Sequence, residues 1–324
     1  MARKIKIDYI TKFRLCDKAH FLIMKGIAIL LVLLAYVGSA YFGIGALAPL
    51  AGVGSVMFLF MSGFGLSESF LWKQGVPHYW ENRIIKVWIP SVVSLVLFAL
   101  LKEMTPFFWI GQNPLALSGW FLYVIFACYI LFWLAFLYID GKIAPVIVLL
   151  VAAAIAFVSV KHQTYAEVML AFPLGVLCSQ WGLKRDVRDL GVKGRLLLCG
   201  LLLALSVGGY FLANATAGIL CSLCWMVSKT AMALLLIYGV FCLQAVPVFG
   251  IFAPLGFIAY AVYLMMADIL HLTVKSPDLE SIGIGMGVLI VSASVFAWLC
   301  NALYLWNKKV RRKKAPKLKG NMQR

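Results

Sequence analysis

Met24 to Val37 read MKGIAILLVLLAYV, and the fold of this chain follows from that stretch. It belongs to an apolar run long enough to cross a bilayer as a helix, which takes about 17–25 mainly apolar residues. A lone cation, Lys25, stands at its mouth, and Tyr36 lies inside it. At about 100° and 1.5 Å per residue, the intervening steps bring Tyr36 back to within roughly 20° of the face of Lys25, about 16 Å deeper. One face thus carries a cation at the water boundary and a polar side chain well into the membrane. Polar groups at that depth are costly enough to be functional candidates. A snorkelling Lys and a packing Tyr explain each residue taken singly.

Composition extends that reading to the whole chain. Its 324 residues are 64% hydrophobic and 13% charged, with a mean hydropathy of +0.97, which excludes an ordinary soluble globule. Of 29 Lys and Arg, seven precede or begin the first apolar run and nine follow Trp306. The net charge of +17 is therefore a topology signal, and no nucleic-acid partner is expected. The eight Cys are scattered, mostly within apolar runs, where Cys behaves as a small hydrophobe. Cys221 and Cys224 have the spacing of a metal pair but lack a second pair or a His, and no metal site is expected. Gly38-Ser39-Ala40 has cleavage-like spacing, yet the preceding basic segment and the apolar run are both too long for a signal peptide.

Ten runs have spanning length: roughly 21–41, 46–66, 84–101, 119–139, 143–160, 165–181, 196–213, 217–245, 249–272 and 282–306. The fold class expected is an all-α polytopic membrane protein of about ten transmembrane helices. It has a basic segment over 1–20, a membrane domain over 21–306 and a basic tail over 307–324. With both termini in the cytoplasm, the inner segments hold 25 Lys and Arg. The outer loops hold Lys102, Lys161 and Lys275, a split that the positive-inside bias predicts. A multi-pass protein of the plasma membrane follows. Trp109 and Trp120 then fall at the outer interface and Trp181 and Trp306 at the inner one. Pro90 should kink the third span, and Gly283, Gly285 and Gly287 should permit close helix packing. The tail from Lys308 is expected to be disordered or lipid-bound.

The second run reads Gly54-Ser-Val-Met-Phe-Leu-Phe-Met-Ser-Gly-Phe-Gly-Leu66, and a basic loop leads to Arg83-Ile-Ile-Lys86-Val-Trp-Ile-Pro90. With the Lys25 segment, these motifs resemble the acyltransferase-3 family of membrane O-acyltransferases. Trp120-Phe121-Leu122 resembles that family's outer Trp motif, and Phe257-Ile-Ala-Tyr-Ala-Val-Tyr-Leu264 its late Tyr-rich segment. The similarity covers essentially the whole chain, with its motifs in order. Two positions depart from the pattern. Where the family places a first-helix His this chain has Tyr36, and where the late motif ends in His it has Met266.

The resemblance implies transfer of an acyl group, usually acetyl, from cytoplasmic acyl-CoA to a hydroxyl of an outward-facing saccharide or glycolipid, within membrane lipid and with no bound cofactor. It places Lys25, Arg83 and Lys86 at the phosphates of the donor, where cations are physically apt. Arg83 and Lys86 share a face by their i, i+3 spacing; ordinary boundary charges are the alternative. The acceptor hydroxyl also needs a base. Tyr is ionised only about one part in a thousand at pH 7, so Tyr36 orients better than it deprotonates. Asp268 and His271, three apart on one face, are a candidate dyad, or a solvated outer pair. Lys229 lies too deep in its run to snorkel easily and requires a polar partner, with Asp268 the nearest acidic candidate, or a water-filled cavity. An ion pair and a substrate contact are both open to it. Ser62 and Trp120 are further candidate contacts. His20 and His78 read as cytoplasmic, His162 and His271 as outer-edge residues, and Glu68 and Glu81 as solvated charges. A non-catalytic relative that binds or helps export a saccharide or lipid is the alternative to an active enzyme. A secondary transporter ranks last, since no internal repeat is evident.

Overall fold

In a bilayer core every backbone N–H and C=O must be paired within the protein, so a chain this apolar has helices or a closed barrel available to it. The computed structural model describes residues 18–73, 79–103, 114–139, 141, 143–159, 163–180, 191–242, 247–274 and 278–314, and they are helical with short turns. The chain is an all-α polytopic membrane protein. Among the described residues, eight helical stretches are long and apolar enough to cross a membrane, and two shorter apolar helices, Ala144–Ser159 and Ala171–Gln180, accompany them. Each of the ten expected runs thus contains an apolar helix.

The helices fall into two compact units. The first comprises residues 1–75 and 114–259. Its described helices are α1 (Lys18–Ala40), α2 (Pro49–Lys73), α5 (Pro114–Tyr138), α6 (Ala144–Ser159), α7 (Gln163–Ala166), α8 (Ala171–Gln180), α9 (Val192–Ala215), α10 (Gly218–Cys242) and the start of α11 (Phe252–Thr273). The second comprises residues 76–113 and 260–324, with α3 (Tyr79–Arg83), α4 (Ile89–Glu103), the rest of α11 and α12 (Leu279–Lys314).

In the first unit α2 is the axle, packed against α1, α8 and α10. Glycines set the closest crossings, as expected where packing rather than hydrophobic exclusion holds helices together. A Cβ on Gly63 would stand 2.3 Å from the Phe172 carbonyl oxygen, and one on Gly175 2.1 Å from that of Phe60. Gly26 and Gly256 meet in the same way at the crossing of α1 with the start of α11. The sixth run is broken: α7 ends at Ala166, turns occupy 167–170, and α8 starts at Ala171. Pro173 explains the break. It is tolerated in the first turn of α8, whereas in a continuous helix its ring would strike the carbonyl four residues back, at Met169.

In the second unit the bend expected at Pro90 takes the form of a π-helical turn, Ile84–Trp88, between α3 and α4. The wider turn absorbs the hydrogen bond that proline cannot make. Of the three glycines expected to permit close packing, Gly285 does so, its missing Cβ falling 2.7 Å from Val274 Cγ2. Around Gly283 and Gly287 no described atom of a neighbouring helix lies within 4 Å of that position. The last helix takes in the first part of the expected tail. Instead of ending near Trp306, α12 continues to Lys314 for 36 residues, which is about 54 Å. Lys and Arg are good helix formers, which suits the basic residues that carry the helix to Lys314. Residues 1–17 and 315–324, with Trp109, Trp181, His78, His162, Lys161 and Lys275, lie outside the described residues, as do the side chains of Lys102 and Trp120.

Candidate functional site

Lys25 is exposed on α1. Tyr36 is half-buried and lies one turn before the helix ends at Ala40, its ring edge-on to Tyr41 with centroids 6.3 Å apart. Tyr36 is therefore nearer a helix end than the middle of the span. His20, read from sequence as part of a cytoplasmic segment, is inside α1 and buried, its Nε2 3.2 Å from the Ile237 carbonyl oxygen of α10.

The deeper polar groups of this unit line α2. Ser62 Oγ lies 2.7 Å from the hydroxyl of buried Tyr129 on α5. One turn and a half further, Gln180 Nε2 donates to Ser67 Oγ at 3.0 Å and Ser179 Oγ to Glu68 Oε1 at 3.3 Å. Glu68 is thus a half-buried group within α2 and not the solvated loop charge expected, while Glu81 is exposed. Trp120 lies on α5.

Toward the other end of α2, Lys229 of α10 forms an ion pair with Glu167, the first residue of the helix break. Among the described residues its ion-pair partner is this carboxylate, where the sequence had named Asp268 as the nearest acidic candidate. Gly52 clears the path: a Cβ there would stand 2.7 Å from Lys229 Cδ and 3.0 Å from its Nζ. The Trp225 ring, one turn earlier on α10, faces the ammonium, with Nζ 5.0 Å from its centroid. Glu167 is the residue that sequence reasoning missed. The signal was available, because Glu167 and Asp268 are the two acids inside the ten apolar runs and Lys229 is the cation left stranded within one.

The depth of the pair can be read on α1. Gly54, two residues beyond Gly52 on α2, packs against Ala28 O and Val32 Cγ2. Gly52 and the Lys229 head therefore stand at a level between Lys25 and Tyr36, about one turn from Tyr36.

In the second unit, Arg83 and Lys86 address different aromatic rings. Half-buried Arg83 has its guanidinium carbon 5.9 Å from the Tyr79 ring centroid, and exposed Lys86 has Nζ 4.3 Å from that of Tyr304 on α12. Their i, i+3 spacing runs into the π turn, where each residue advances by a smaller angle than in an α-helix. The Tyr260 hydroxyl lies 2.7 Å from Ser91 Oγ and donates to the Val87 carbonyl at 3.1 Å, and Ser91 Oγ donates to the same carbonyl at 2.7 Å. Tyr260 of the late motif thus pins the π turn. On the same helix Asp268 is half-buried and His271 exposed, near its C-terminal end, while Tyr263 and Met266 are buried.

Residues 21–300 match the acyltransferase-3 family, described as an acyltransferase domain. The chain belongs to the acyltransferase-3 family. The match takes in both units and the elements carrying Lys25, Ser62, Arg83, Lys229 and Asp268. No curated protein and no solved structure matches the chain. As a member of this family with eight apolar helices of spanning length among its described residues, it is a membrane-embedded protein of the acyltransferase class.

Proposed function

We propose that this protein moves an acyl group, acetyl in the simplest case, from cytoplasmic acyl-CoA to a hydroxyl of an extracytoplasmic saccharide or glycolipid. The observation that carries this reading is the family match across residues 21–300. The distribution of Lys and Arg supports an orientation with both termini in the cytoplasm of a cell whose plasma membrane holds the protein, with 21–306 as membrane domain. Lys25 and Lys86, both exposed, and Arg83 are the proposed ligands of the donor's phosphates. Ser62 and Lys229 are candidate acceptor contacts, with Trp120 a third. Asp268 and His271 remain a proposed dyad near the acceptor side.

A second reading, a non-catalytic relative that binds or helps export a saccharide or lipid, is favoured by Tyr36 and Met266 standing where the family pattern has histidines. Purified protein incubated with acetyl-CoA decides between them. Release of free CoA by the native chain supports the enzyme. No release from the native chain, with release appearing in Tyr36→His, identifies a lapsed catalyst and overturns the first reading.

A further inference from the structure

We propose that the Glu167–Lys229 pair is the chemical centre of acyl transfer, with Glu167 accepting the proton of the acceptor hydroxyl and Lys229 holding the oxygen that becomes negative. This rests on the acyl-transfer reading above. An ion pair is an expensive way to tie helices together in a membrane, because apolar residues of similar volume hold as well or better once desolvation is counted. Here the cost is accompanied by specific construction. The carboxylate starts a helix break that Pro173 enforces, the ammonium lies beside a glycine that leaves it room, and an indole faces it. Glu167 is buried, and Lys229 keeps 11% of its side chain exposed. The level of the pair, between Lys25 and Tyr36, suits a reaction whose donor enters at one mouth and whose acceptor waits at the other.

The chemistry balances without a further reagent. The acceptor O–H gives its proton to the Glu167 carboxylate as its oxygen bonds to the thioester carbonyl carbon. The carbonyl oxygen takes the electron pair and is stabilised by the adjacent Lys229 ammonium. As the C=O bond re-forms, the C–S bond breaks, and the CoA thiolate recovers the proton from Glu167. The products are the acylated hydroxyl and free CoA. A carboxylate supplies a base at neutral pH, a role for which Tyr36 is ill suited.

The test uses native membrane vesicles containing the full chain and the host's own glycans, with radiolabelled acetyl-CoA as probe. Glu167→Gln should lower kcat by about 10²–10⁴-fold, the usual worth of a general base, with KM for acetyl-CoA unchanged. The swapped pair, Glu167→Lys with Lys229→Glu, keeps opposite charges together and should remain as slow. Recovery of the native rate by the swap shows that the tie alone matters and overturns the proposal. So does a Glu167→Gln rate within about threefold of native. If Glu167→Gln does not accumulate, Glu167→Asp decides: a drop of about tenfold at unchanged KM supports the role, and a native rate refutes it. Absence of any transfer by the native chain is a different result, since it defeats the acyltransferase reading itself.

Discussion

Lys229 shows what one buried cation asks of its surroundings. The ammonium is satisfied by Glu167 and faced by Trp225, and Gly52 lacks the side chain that would block it. Removing one partner of a buried pair strands the other charge, which typically costs 3–5 kcal/mol. Lys229→Met should therefore lower stability by about 3–5 kcal/mol, and adding Glu167→Leu should restore most of it, both read from unfolding midpoints in detergent. That Lys229 needed a partner was legible in the sequence, because a charge inside an apolar run cannot stand alone. Which partner it finds was not, because Glu167 lies 62 residues away and meets it only through the packing of one helix against another.

The elements divide by how local their causes are. Spans were legible because hydropathy over some twenty residues decides membrane insertion with little help from neighbours. Their internal breaks needed more. Pro90 marks its π turn in sequence, yet the turn is held by Tyr260 and Ser91 converging on the Val87 carbonyl. Tyr260→Phe removes that hydroxyl and should cost about 1 kcal/mol, the usual net worth of a hydrogen bond, measured as a lower thermal midpoint with the helix content unchanged by circular dichroism. Pro173 interrupts the sixth run without lowering its hydropathy, so the run reads as one span until the turns at 167–170 are seen.

At the scale of the whole molecule, charge and length act together. The last helix is about 54 Å long against a hydrocarbon core of about 30 Å, so it exceeds the length of one crossing, and its C-terminal end is basic. Under the proposed orientation that end is cytoplasmic. A fluorescent protein fused after Arg324 should fluoresce, and an alkaline phosphatase fused there should be inactive; active phosphatase would reverse the sidedness and with it the face at which acyl-CoA enters. Family membership was legible too, since Lys25, Ser62-Gly63, Arg83, Trp120 and the Tyr260–Leu264 segment occur in order along the chain.

What the sequence determined by itself was the all-helical, lipid-embedded class, the position of the apolar runs and the family. These rest on hydropathy and motif order, properties of neighbours along the chain. Only the tertiary structure decided that Lys229 meets Glu167, that Tyr36 stands near a helix end, and that Arg83 and Lys86 face different rings. Those outcomes depend on the register of one helix against another. Glycine crossings help set that register, and no period along a single helix encodes it.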